Sequence, residues 1–83
     1  MIHTLKTWPQ YFEPCHTGQK MFEFRKADRQ FETGDILVLQ EWDPDKKEYS
    51  GRECYREVTY IFTEGFGLPE GFCIMSLIVK NGY

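Results

Sequence analysis

Within six residues, Lys20-Met21-Phe22-Glu23-Phe24-Arg25, the chain gathers an ammonium, a carboxylate and a guanidinium just after the turn residue Gly18. Those three groups suit two chemistries. An arginine presents a planar fork of donors that fits a phosphate or the edge of a base, and a glutamate accepts from an amino group. A lysine beside a glutamate also serves proton transfer when a cleft perturbs the two groups, so Lys20 and Glu23 are the candidate catalytic residues. The plainer alternative is a solvated lysine next to an exposed Glu23–Arg25 ion pair, which contributes about 0 to 1 kcal/mol and no chemistry. Lys6, Lys26 and Arg29 are placed to extend a phosphate-binding rim, and Trp8, ahead of Tyr11 and Trp42, is the candidate stacking face for a base. The other aromatics are expected in the core, the commoner fate of such side chains.

These residues need elements to hold them. Alternation along an extended segment over residues 20–27 sends Phe22 and Phe24 to one face, expected inward, and Glu23 and Arg25 to the other, expected outward. Lys20 has the opposite parity from Glu23 and Arg25, so the three converge only if the strand bends or begins after Lys20. Upstream, residues 2–7 read as a first strand. Thr7-Trp8-Pro9 opens a helix with Thr7 as its cap, and Pro14 makes the end irregular before Thr17-Gly18 stops it. Downstream, Ile36 to Trp42 is the best strand in the chain, Asp43 to Gly51 reads as an exposed hairpin loop, and residues 52–63 form a fourth strand. Gly65 to Gly71 is a turn-rich break, and Phe72 to Lys80 is apolar enough to be a central strand.

One short helix and about five strands predict an α+β, mainly β fold, a strongly curved sheet or partly closed barrel with the helix over an opening. An open sandwich differs only in whether the first and last strands pair. At 83 residues the chain is expected to form one domain, 1–83, burying about 60 to 65% of its unfolded surface, so an aromatic core is needed. The composition supplies it, with Phe 7, Tyr 5 and Trp 2.

The net charge of −3 is unevenly spread: residues 1–30 carry five basic and three acidic side chains, and the remainder five and ten. A local basic patch on an acidic protein can therefore meet phosphates, while the acidic remainder offers a surface for a basic partner protein. Three cysteines with no Cys-x-x-Cys pair predict reduced, mostly buried thiols. No apolar run approaches membrane length, so a cytoplasmic protein with no membrane partner is expected. His3, His16 and Cys15 have no metal-ligand spacing, Ser50 and Ser76 lack a nucleophile-elbow context, and Gly65-x-Gly67 precedes no helix. Neither metal nor cofactor is expected.

The pattern Gly18-x-Lys20-x-x-Glu23-x-Arg25, preceded by a helix and followed by Gly34-Asp35 and an apolar strand, resembles the signature of the ASCH domain of the PUA-like superfamily. His3-x-Leu5-Lys6, Tyr11-Phe12, Phe22-Glu23-x-Arg25-Lys26, Asp28-Arg29, Phe31, Gly34-Asp35-Ile36-Leu37-x-Leu39-x-Glu41 and Tyr49-x-Gly51-Arg52-Glu53 resemble the DUF3850 family over nearly the whole chain. The resemblance implies a PUA-like β-barrel with a helix beside a cleft, in a superfamily associated with RNA or modified nucleosides. Some small ASCH-like proteins are amidohydrolases of acetylated cytidine that use a lysine, a threonine and a distant glutamate. Their lysine position falls here on Lys20, but their threonine position falls on Glu23, and the distant glutamate has no assigned counterpart. A carboxylate does not replace a hydroxyl nucleophile, which favours binding over catalysis.

The leading expectation is a module that binds RNA or a nucleotide-like small molecule through a cleft lined by Lys20, Glu23 and Arg25. The alternatives are a hydrolase of a modified nucleoside, with Lys20 as base or proton relay and Glu23 as acid or base, and a protein-interaction module.

Overall fold

The structure, a computed structural model, describes residues 1–80. The chain runs through β1 (Ile2–Thr7), α1 (Pro9–Thr17), β2 (Phe22–Lys26), β3 (Ile36–Asp43), β4 (Glu48–Phe62) and β5 (Phe72–Val79). The strands form one sheet in the order β1-β3-β4-β5-β2, with β1 parallel to β3 and the other neighbours antiparallel. The sheet curls into a half-barrel, and α1 packs against β3 and β4. This is the mainly β fold with one short helix that the pattern predicts.

The curl has a local cause. β4 is 15 residues long and shifts register against both neighbours, between Gln40 and Trp42 on the β3 side and between Val58 and Tyr60 on the β5 side. Extra residues in one strand bend it and increase its twist. Gly51, at φ 94, lies within the first irregularity, where a left-handed backbone excludes most side chains. The bending leaves β1 and β2 as the two free edges of the sheet. They do not pair, but Arg25 Nη2 crosses the gap between them and donates to the Lys6 carbonyl at 2.9 Å.

Several expectations are corrected. The phase of β2 is the reverse of the one expected: Phe22 and Phe24 are 46% and 47% exposed, while Glu23 is only 4% exposed. The period of two holds, but it is Glu23 that faces the half-barrel, where Lys20 and Arg25 flank its carboxylate. Phe24 stacks on Phe72 at 5.6 Å. Thr7 does not cap α1; Trp8 is the N-cap, without a side-chain hydrogen bond, and Pro9 supplies the preset first turn. Pro14 leaves α1 continuous to Thr17, and Gly18, at φ 90, ends it. The hairpin between β3 and β4 is also tighter than Asp43 to Gly51, because Asp43 Oδ1 accepts from the backbone N–H groups of Asp45 and Lys46 and closes the turn early.

The core lies between the sheet and α1 and includes Leu5, Phe12, Leu37, Leu39, Val58, Met75 and Leu77. One polar cluster is buried beside it. Asp35 accepts from the Met1 ammonium at 3.0 Å and the Glu32 N–H at 2.9 Å, and its other contact is His3 Nε2 at 2.8 Å. Burial alone would raise the Asp35 carboxyl, but the bonds from His3, the terminal ammonium and the Glu32 amide outweigh it and hold the pKa at about 2. A depressed carboxyl stabilises the fold above its unfolded value and loses that contribution as pH falls through the folded value. Acid titration from about pH 5 to about pH 2 is therefore expected to cost the wild type about 2 kcal/mol more stability than Asp35→Asn, measured by urea unfolding at each pH.

Candidate functional site

The gap between the two free sheet edges is a cleft of about 790 Å³. β1 contributes Lys6 and Thr7, the start of α1 contributes Trp8 and Tyr11, and Phe72 comes from the start of β5. Lys20 and four consecutive residues of β2, Phe22 to Arg25, complete the lining. Four consecutive residues line it because the cleft borders the strand's backbone edge and not one of its faces. The Met21 carbonyl and the Ala27 amide bond to Leu77 and Gly71 on the β5 side, so by alternation Phe22, Phe24 and Lys26 turn theirs away from β5, towards the free edge. The Phe22 carbonyl accepts from Lys20 Nζ at 2.8 Å. The Phe24 amide and carbonyl share that direction.

Glu23 organises the charged end. Its Oε1 accepts from Lys20 Nζ at 3.2 Å and its Oε2 from Arg25 Nε at 2.9 Å. Lys20 and Arg25 stay partly exposed, so two cations around one buried anion leave a single net positive charge at the mouth. The parity problem is resolved because β2 begins at Phe22, after Lys20, which frees the lysine to fold back over the strand.

The remaining walls are aromatic. Trp8 and Tyr11 stack on each other at 6.5 Å on one side, and Phe24 and Phe72 at 5.6 Å lie on the other. Thr7 also lines the cleft, and its buried hydroxyl Oγ1 has no hydrogen-bond partner among the described residues. Such a group costs about 1 to 3 kcal/mol unless something satisfies it.

Of the residues predicted for a site, Lys6, Trp8, Lys20, Glu23 and Arg25 meet at this cleft. Lys6 bends away from phosphate reach, its Nζ lying 4.0 Å from the centre of the Trp42 ring. Arg29 lies on a neighbouring hollow with Lys6, Arg25, Gln40 and Tyr49, and pairs loosely with Asp28 at 3.9 Å. Lys26 is exposed and lines neither cavity. A continuous basic rim is therefore not formed. Thr7, Phe22, Phe24 and Phe72 were not expected here; the signal for Thr7 was its parity with the buried His3 and Leu5 along β1.

A second polar cluster ties α1 to the β3–β4 hairpin. Arg52 bonds Glu41 through Nε at 3.0 Å and Glu13 through Nη2 at 2.8 Å, and Ser50 Oγ donates to Glu41 at 2.6 Å. The bonds from Arg52 and Ser50 hold the Glu41 carboxyl below the usual carboxylate range despite its burial. Every polar group in it is committed to another, as in a structural brace. Among the described residues no group of three or more His, Cys, Asp and Glu is arranged to hold a metal, and no helix is long and apolar enough to cross a membrane.

Two comparisons with other proteins bear on the chain. It is 40% identical over 58 residues to an "Uncharacterized 12.9 kDa protein in GpA 3'region" of Escherichia phage P2, a match that covers 70% of this chain. The match takes in only 51% of that relative, so the chain spans about half its length. The profile of the family described as "Domain of unknown function (DUF3850)" matches residues 2–77, a stretch that holds β1 through most of β5 and every residue lining the cleft, and the chain belongs to that family.

Proposed function

We propose that the cleft binds a nucleoside-like group, either an unpaired base of RNA or a free nucleotide, in line with the resemblance to ASCH and PUA-like domains. The observation that carries this reading is the aromatic-walled cleft with a charged end set by Lys20, Glu23 and Arg25. A planar base stacks between such walls, at about 1 to 3 kcal/mol per base, and offers edge groups to the Phe24 backbone on the free edge. The charged end, with one net positive charge, suits a single phosphate better than a phosphate track along a strand. A cleft of this size lies within the roughly 300 to 1,000 Å³ usual for small-ligand sites.

The second reading, hydrolysis of an acylated nucleoside, is favoured by the Lys20–Glu23 contact at 3.2 Å in the same cleft. One panel separates the two. Calorimetric titration with nucleosides, their monophosphates, acylated nucleosides and short single-stranded RNA is expected to give binding that Trp8→Ala weakens about tenfold. A monophosphate is expected to lose affinity with rising salt while its nucleoside does not. Release of the acyl group in the same mixtures moves the assignment to hydrolysis. Absence of binding across the panel refutes both.

A further inference from the structure

Arg56 is a buried cation without a carboxylate. It lies on β4, and among the described residues its contacts are two carbonyls, Nη1 to Tyr55 O at 2.8 Å and Nη2 to Cys15 O at 2.7 Å, with Nε unpartnered. A buried guanidinium needs an anion nearby, since an uncompensated charge in the interior is strongly destabilising. The groups beside it are sulfurs. Cys15, in the last turn of α1, is fully buried, and its Sγ lies 3.8 Å from the Sγ of Cys54, which shares Arg56's face of β4 two residues earlier. The S–H of Cys54 donates to the Cys15 sulfur, and this bond, with the fields of Arg56 and Lys20 and against burial and the field of Glu23, brings the Cys15 thiol down to about 7. The same coupling pushes the Cys54 thiol up. Cys73, held up by burial, has no such neighbour among the described residues.

We propose that Cys15 and Cys54 are an oxidisable dithiol, in which Cys15 attacks a hydroperoxide and Cys54 resolves it to a disulfide that fastens α1 to β4. In the first step the Cys15 thiolate takes the distal oxygen of the peroxide, its O–O bond breaks, and the leaving alkoxide or hydroxide is protonated to alcohol or water. In the second, the Cys54 sulfur displaces hydroxide from the Cys15 sulfenic acid, the S–S bond forms and water leaves. Two thiols are oxidised and one peroxide is reduced.

Access comes through α1. The route requires a local opening of this nine-residue helix, which has an internal proline and no side-chain cap, and hydrogen peroxide is scarcely larger than water. Because Trp8 and Tyr11 stand on α1, a tether at Cys15 also fixes one wall of the cleft.

The test is exposure of the reduced protein to hydrogen peroxide, followed by alkylation in denaturant and peptide mapping without reductant. The expected product is a Cys15–Cys54 linked peptide, with free thiols falling from three to one and returning on reduction. Cys54→Ala is expected to leave a Cys15 sulfenic acid that dimedone traps, Cys15→Ala to slow thiol loss at least about tenfold, and Cys73→Ala to change neither product nor rate. Preferential oxidation of Cys73, or persistence of all three thiols at peroxide that oxidises free cysteine, overturns the proposal. The peptide map of the unmutated protein distinguishes these outcomes even if a core variant fails to fold.

Discussion

Glu23→Ala is expected to destabilise the fold by about 2 to 3 kcal/mol and to abolish detectable ligand binding. Removing one member of a buried ion pair costs about 3 to 5 kcal/mol when the partner stays buried. Here Lys20 and Arg25 both reach solvent, which places the cost below that range. The loss of binding follows from geometry. Without the carboxylate, Arg25 is left with the Lys6 carbonyl and Lys20 with the Phe22 carbonyl and ring among the described residues, so both cations lose the anchor that fixes them at the mouth. Glu23→Gln is the informative companion: it keeps the volume and one acceptor but raises the net charge of the cluster. It is expected to retain most of the stability and to strengthen the salt dependence of monophosphate binding. Chemical denaturation and titration calorimetry measure both effects, and wild-type stability with wild-type affinity in Glu23→Ala would refute this account of the cluster.

Phe12→Ala is expected to cost more, about 3 to 5 kcal/mol, because it empties a fully buried site between α1 and the sheet. Phe12 also carries the packing around it. Its ring stacks on His16 at 5.6 Å, and the Arg52 guanidinium lies 5.0 Å from its centre. For a domain of this size each kcal/mol lowers the melting temperature by about 4 to 8 °C, so a fall of about 15 °C or more is expected in a thermal scan. Phe12→Leu, which keeps most of the volume, is expected to lose only about 1 kcal/mol. Since Trp8 and Tyr11 ride on the same helix, the alanine variant should lose ligand affinity even at temperatures where the sheet stays folded.

The order and type of the elements were legible because each has a strong local signature: the period of two in β2, the apolar run of β3, the proline that starts α1 and the glycine that ends it. The residues of the charged cluster were legible for the same reason. Their phase was not. Period two states that Phe22 and Glu23 lie on opposite faces, and only the curl of the sheet decides which face looks into the half-barrel. That curl is set by register shifts in β4, far from β2 in sequence. The second row of the cleft was missed because Thr7 carries two local signals, a helix cap and an inward strand residue, and the strand one prevails.

The two sheet edges that border the cleft also bear on self-association. An unpaired strand edge is a template on which another chain can add, and natural proteins guard such edges with charge or cover. Here β1 and β2 turn towards each other, Arg25 takes up the Lys6 carbonyl, and Lys20 and Arg25 stand along the opening. The cations that make the slot attractive to an anionic ligand are thus also the gatekeepers that repel a second copy of the sheet.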